Sequence, residues 1–455
     1  FVQEPPLRYL EAKPWEALSE TRDISIGRIS GETTPTSHEH NDPALQQIEV
    51  GEGFIDRWAI NIPKTIVGIQ QGTEPVTTDG KPAPDGSADL NEGILKADDG
   101  FELDWELDRD FTETGVPYFS IPYADLWKEV MLEHLIARAL GKGLQLPIID
   151  KWPAGIDHVA TISHDSDIND NDSAELTLDV LKGANIHTTW CIMQPGYSRE
   201  IYQKVKEAGH ELAFHYNALE QENEYWSAKS FHDQLAWLKE VTAKQDIITN
   251  KNHYTRFEGW GELFRWCEEQ GIQVDQSRGP SKKGNIGFLF GTCQPYYPIA
   301  WASEKNRFYD VLEIGFLTQD LNHQLLADTS VIVPFLKQVK RVNGVAHFLF
   351  HQIHIYKQPK VKEAIIQLIE TARKEGFTFW TSEQINQWER KRRNIHMSVE
   401  SDKLQLTSPA EMEEVTVWIP VRKTGQPHPE EKVVYGVICK KEVCEVQQIK
   451  EKRWV

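Results

Sequence analysis

Residues 158–193 read HVATISHDSDINDNDSAELTLDVLKGANIHTTWCIM. The β-branched run that opens this stretch ends in Ser163-His164-Asp165-Ser166-Asp167, as expected of a strand that delivers polar groups to one rim. Residues 173–184 then fit an amphipathic helix with Gly183 near its end, and 187–193 form the next strand. The unit recurs. Strands are expected near 158–163, 187–193, 210–215, 247–256, 272–276, 310–316, 345–351 and 377–380. Helices are expected over 173–184, 198–208, 230–243, 260–270, 329–342 and 359–375, with Gly209, Gly271, Gly344 and Gly376 as further stop signals. Such alternation predicts parallel strands joined by right-handed crossovers, and seven or eight of them predict an α/β fold, a (β/α) barrel over residues 151–394. In that architecture chemistry belongs at the C-terminal ends of the strands.

Outward from the barrel the texture changes on both sides. Residues 1–150 are rich in acidic and turn residues, with one clear helix over 125–140, and read as an N-terminal accessory or cap domain of α/β type. Residues 395–455, with Val415-Thr416-Val417-Trp418-Ile419, read as a small antiparallel β domain. The 455 residues carry 69 acidic against 49 basic side chains, a formal charge of −20, which argues against a nucleic-acid partner. No apolar run is long enough to span a membrane. The sequence opens on Phe1 with Glu4, Glu11 and Glu16 close behind, so no signal peptide remains; five scattered cysteines fit free thiols, and a cytoplasmic location is expected. Oligomeric state is not legible.

Polar residues gather at the expected C-terminal rim. Side chains two apart on a strand share a face, so Asp165 and Asp167 can enter one site. His210 and His215 are five apart and oppose each other, and His215 is the one at the strand end. His351 ends the Phe348-Leu349-Phe350 run, with His354 following; Arg256 and Asp275 follow or occupy strands four and five. Two carboxylates and histidines at one rim suit a metal-assisted hydrolysis in which one carboxylate takes a proton from water and a histidine protonates the leaving group. Helix capping by Asp165 and Asp167, a core role for the histidines and a surface ion pair for Arg256 are the competing structural readings. The barrel aromatics, Tyr225 among them, could stack on sugar rings, though most tryptophans in such a fold are core; the loop Gly291–Pro298 with Tyr296 and Tyr297, together with Trp260, is expected to wall a substrate.

The order of these motifs resembles the polysaccharide deacetylases, the NodB-homology carbohydrate esterases, over about residues 152–390. The rim series is the Asp-rich end of strand one, Gly209-His210-Glu211 with His215, Arg256, Asp275 and His351. The resemblance implies a distorted (β/α) barrel that removes acetyl groups from N- or O-acetylated sugars with a divalent metal, zinc by donor type. It implies Asp165 as catalytic base, Asp167 and His215 as metal ligands, Arg256 orienting the base, Asp275 tuning the acid and His351 as the acid. Two departures stand out. Asp165-Ser166-Asp167 replaces adjacent aspartates, which leaves open an exchange of base and ligand; Leu219 replaces the second metal histidine, leaving Asn217, His164 and His253 as alternatives for the third ligand. The expected substrate is an acetylated sugar or polysaccharide. A non-sugar amide hydrolase of allantoinase-like type and a degenerate glycan-binding protein are the competing readings.

Overall fold

The computed structural model describes residues 6–13, 21–23, 28–29, 42–90, 92–219, 226–323, 326–400 and 403–449; Tyr225 lies outside them. Nine strands form one sheet: β1 (His158–Asp165), β2 (Thr189–Ile192), β3 (Glu211–Tyr216), β4 (Thr249–Asn252), β5 (Val274–Asp275), β6 (Leu312–Glu313), β7 (Thr318–Gln319), β8 (Val345–Leu349) and β9 (Phe377–Phe379). Their order is β6-β5-β4-β3-β2-β1-β8-β7, with β9 on β1, and every pairing is parallel. The two edges meet through the chain itself. Ile314 N–H donates to Asp275 O (2.9 Å) and Leu317 N–H to His347 O (2.9 Å), so residues 312–319 run from one edge of the sheet to the other. The single strand expected over 310–316 is thus two short ones with a break at Gly315, and the result is a strongly curled, distorted barrel.

Six helices fall where the periodicity places them, α1 (Asn171–Ala184), α2 (Arg199–Glu207), α3 (Ala228–Thr242), α4 (Glu262–Gln270), α5 (Ile332–Val342) and α6 (Pro359–Lys374), and a further one that was not expected, α7 (Ser382–Arg393), follows β9. Asp170, Ser198, Ser227 and Thr381 cap four of them with side-chain oxygens, and Gly271 closes α4 in the left-handed region. Ile162, Trp190, Leu212, Phe214 and Phe348 pack outward against Leu178, Leu181, Ile201, Leu235, Leu336 and Leu368 of the helices. The barrel interior is polar instead. Glu211 accepts from Thr249 Oγ1 (2.5 Å), Thr189 Oγ1 (2.8 Å) and the Glu383 N–H of α7 (2.9 Å), while Val159, Val274, Leu312 and Val345 form an apolar floor with Ile385 and Trp388.

Under that floor lies an antiparallel sheet of Ile148–Pro153, Val415–Arg422, Val437–Cys444 and Glu431–Val434, so the strand that leads into the barrel pairs with the C-terminal segment. The N-terminal residues pack elsewhere, on the loops that follow β4 and β5. Phe257 N–H donates to Leu95 O (3.0 Å), Val76 and Gly259 exchange both backbone bonds (2.9 and 2.7 Å), and Phe119 bonds Ile286 and Phe288 (2.9 Å each). These contacts bring the N-terminal segment to the C-terminal rim. No helix of the described residues is long and apolar enough to cross a membrane, and all five cysteines are free thiols.

Gly287 closes the joint between the N-terminal segment and the barrel. It holds φ +96°, and a Cβ there would lie 2.3 Å from Phe119 O, whereas Gly86 (φ +72°) has open space around it. Gly287→Ala is expected to lose about 2 kcal/mol or more in urea unfolding and Gly86→Ala only about 1, because both are strained but only the first collides. Equal losses would remove the close approach as the cause.

Candidate active site

β1 carries Ser163 and Asp165 on its inner face, and the chain then bends through Asn169 (φ +53°) into α1. The bend brings Asp167 back over the mouth of the barrel. There its Oδ1 lies 3.3 Å from His215 Nε2, and its Oδ2 lies 3.6 Å from His253 Nε2 and 3.5 Å from His351 Nε2. Asp167, His215 and His253 each offer one ligand atom, and these atoms lie within 4.8 Å of one another. Groups behind them set the ring orientations: His215 Nδ1–H donates to Lys251 O (2.9 Å), and His253 Nδ1 bonds Asn217 Oδ1 (3.2 Å). Each imidazole is thereby turned with Nε2 toward Asp167, the arrangement by which outer-shell partners fix metal-binding histidines.

The donor set fits a divalent metal. Asp167 Oδ1 and His215 Nε2 are buried without a hydrogen-bond partner, a costly state unless something else satisfies them. Burial alone would raise the Asp167 carboxyl, but His351, His215 and His253 hold it well below the usual range. A carboxylate with two imidazoles is the ligand chemistry of zinc. Of the three alternatives for the third ligand, His253 joins the cluster and Asn217 stands behind it, its Oδ1 also accepting from Leu219 N–H (2.9 Å). His164 faces the helix layer, with Nδ1 on Phe350 O (2.9 Å) and its ring tilted against Trp190.

His351 sits across the cluster. Its N–H and Nδ1 meet the two oxygens of Asp320 (2.8 and 2.5 Å), and His354 Nδ1 shares the second oxygen (2.9 Å). Asp320 is buried at the end of β7 with φ +42°, a conformation aspartate tolerates. Burial would lower His351, but Asp320 and Asp167 outweigh it and raise the imidazole to about 10; Asp320 in turn is held far below the usual carboxylate range by the two histidines, against its own burial. Asp275, expected to tune the acid, is elsewhere in the interior, accepting from Asn250 Nδ2 (2.7 Å) and from Ser277 N–H and Oγ (3.0 and 2.9 Å). Burial raises it. The aspartate that hydrogen-bonds His351 from behind, at Nδ1, is Asp320, which sequence reasoning missed.

The cation beside the expected base also differs. All three guanidinium nitrogens of Arg256 are engaged, Nε and Nη2 by Glu258 and Nη1 by Ala218 O (3.0 Å). Lys251, fully buried on β4, places Nζ 3.4 Å from Asp165 Oδ2, 3.3 Å from Ser163 Oγ and 4.2 Å from the centre of the Phe316 ring. Asp165 Oδ1 has no partner. The three expected substrate contacts are not at the rim cluster. Tyr296 is buried with its hydroxyl on Gln70 O (3.1 Å), Tyr297 is stacked by Arg393 of α7 (4.4 Å), and Trp260 is buried with Nε1 on Ile299 O (2.8 Å). Loop 291–298 is tied by Cys293 O to the first residue of β8, Val345 (2.8 Å), and so begins at the opposite rim.

No family model and no curated protein matches this chain. Solved structures do. Over 53% of its length and 93% of the other chain it is similar to a structure from Mycobacterium smegmatis described as a polysaccharide deacetylase (15% identity, TM-score 0.40). Over 54% and 94% it is similar to the Xyl-CE4 domain of a multidomain xylanase from the hindgut metagenome of Trinervitermes trinervoides (13%, 0.31). Over 51% and 66% it is similar to a CE4 family pseudoenzyme from Bacillus anthracis (12%, 0.31). These neighbours are of the family whose motif order the rim resembles, at low identity and over about half of this chain. The functional reading rests on the side chains.

A pH dependence follows from the Asp320–His351 pair. His351 is raised from 6.5 to about 10, so its protonated form stabilises the fold fully below about pH 6.5, and that contribution is lost as pH rises through about 10. NMR titration of metal-free protein is expected to put the His351 midpoint well above 6.5, and Asp320→Asn to bring it down. An unchanged midpoint in the variant would detach Asp320 from the acid.

Proposed function

We propose that the protein is a metal-dependent hydrolase that removes acetyl groups, N-acetyl groups in the first place, from a sugar or polysaccharide. The observation that carries this reading is the cluster Asp167–His215–His253, flanked by Asp165 on Lys251 and by His351 on Asp320. Asp167, His215 and His253 would hold the ion; a divalent metal, zinc by donor type, supplies Lewis acidity that polarises an acetyl carbonyl and lowers the pKa of water.

The chain's own groups divide the remaining work. Lys251 fixes one oxygen of Asp165 and leaves Oδ1 unpartnered, which suits a base that takes the proton of the attacking water. Asp167, surrounded by three imidazoles that hold its carboxyl well below the usual range, is the poorer base. On this reading Asp165 is the base and Asp167 the ligand, without the exchange that the Asp-Ser-Asp spacing left open. His351, cationic at neutral pH and oriented by Asp320, donates its Nε2 proton to the departing nitrogen. Leu219 keeps the non-sugar amide reading in view, since the second imidazole of the ligand set comes from His253 at the end of β4 and not from the segment that follows β3.

Purified protein is expected to carry about one divalent ion. Asp167→Asn and His253→Ala should lower occupancy, while Asp165→Asn and His351→Ala keep the ion and lose about 10²–10⁴-fold in acetate release from an N-acetylated amino-sugar oligomer. Full occupancy in both ligand variants would sink the metal assignment. Release of ammonia or amine from small amides, with none of acetate from sugars, would favour the other substrate class.

A further inference from the structure

Tyr254 follows the candidate ligand His253 directly and adopts φ +58°, ψ +18°; Thr255 follows at φ +53°. Two consecutive non-glycine residues in the left-handed region cost about 1–2 kcal/mol each, and such strain persists only where the surroundings impose it. Its result is a displayed ring. Tyr254 is 48% exposed, while His253 and Thr255 on either side are buried. One edge of the display is fixed by His253, whose ring lies 4.7 Å away at 83°. One face is covered by Lys96, whose ammonium stands 5.0 Å over the ring centre.

Lys96 comes from the N-terminal segment and is itself 2% exposed. Its Nζ donates to Ser281 Oγ (3.1 Å), and its backbone forms a bridge with Arg256, so both the strained turn and the lysine are held by the same joint. Nothing in the chemistry proposed for the rim uses this tyrosine. An aromatic ring held rigid, with one face braced by a cation and the rest open to solvent beside the candidate metal, is a platform for a flat, largely C–H surface. A pyranose ring offers such a surface.

We propose that Tyr254 is the platform on which a sugar ring of the substrate stacks, with Lys96 of the N-terminal segment as its brace. This rests on the sugar reading above. It gives residues 95–99 a part in the site and makes Tyr254 a determinant of substrate affinity, with no role in proton transfer.

Calorimetric titration of the metal-loaded protein with a β-1,4-linked N-acetylglucosamine tetramer tests it. Tyr254→Ala is expected to weaken binding about tenfold or more, with metal content and thermal midpoint kept, and Tyr254→Phe and Tyr254→Trp to retain affinity because the ring is what stacks. Lys96→Met is expected to weaken it several-fold. Equal affinity in Tyr254→Ala and wild type overturns the platform and leaves the sugar reading standing. Wild-type protein that is loaded with metal but binds no tetramer overturns the sugar reading, and the platform with it.

Discussion

A carboxylate packed among three imidazoles fixes the geometry of the rim. Asp167 lies within 3.3–3.6 Å of His215, His253 and His351, which come from three different strands or their ends. Burying a charge is affordable only when opposite charge or strong hydrogen bonding accompanies it. The carboxylate therefore dictates which way three side chains turn, and behind each stands a partner that holds it: Lys251 O, Asn217 and Asp320. Strands β1, β3, β4 and β8 must keep their relative registers for this to persist. The paired rows Asp165–Cys191–Ala213, His215–Lys251 and Leu349–Ser163 supply them.

The interior carries the same logic downward. A barrel filled with apolar side chains would leave Asp165 without support; here Lys251, Ser163 and His347 form a buried polar layer beneath it, with Ser163 Oγ 2.8 Å from His347 Nε2. Glu211 with its threonines forms another polar group nearer the floor, and the apolar floor seals that end. Such networks are stable only when their members are satisfied. Among the buried atoms without a hydrogen-bond partner, three, Asp165 Oδ1, Asp167 Oδ1 and His215 Nε2, stand together at the rim, where chemistry can use them.

Much of this was legible in the sequence, for reasons that also explain the misses. β1 ends in acids, so period two put Asp165 on the inner face, while Asp167 lies beyond the strand and reaches the same site through the bend that follows; parity also separated His215 from His210. β4 reads Thr249-Asn250-Lys251-Asn252, polar on both faces, so nothing in it told the inner Lys251 and the following His253 from their neighbours. Asp320 ends a strand of two residues after the break at Gly315, too short for any periodic signal. Arg256 follows the left-handed Tyr254 and Thr255, and its guanidinium meets Glu258, the ion pair that the sequence offered as the alternative to orienting the base. Where Tyr296, Tyr297 and Trp260 lie depends on long-range contacts with Gln70, α7 and Ile299, which no local pattern encodes.

On the proposed chemistry, one divalent metal is held jointly by Asp167, His215 and His253. Crystals of the protein equilibrated with zinc and measured across the zinc absorption edge address it most directly. One strong anomalous peak is expected about 2.0–2.2 Å from His215 Nε2, His253 Nε2 and a carboxylate oxygen of Asp167. A peak among Asp320, His351 and His354 instead, or none at Asp167 in excess zinc, would contradict it.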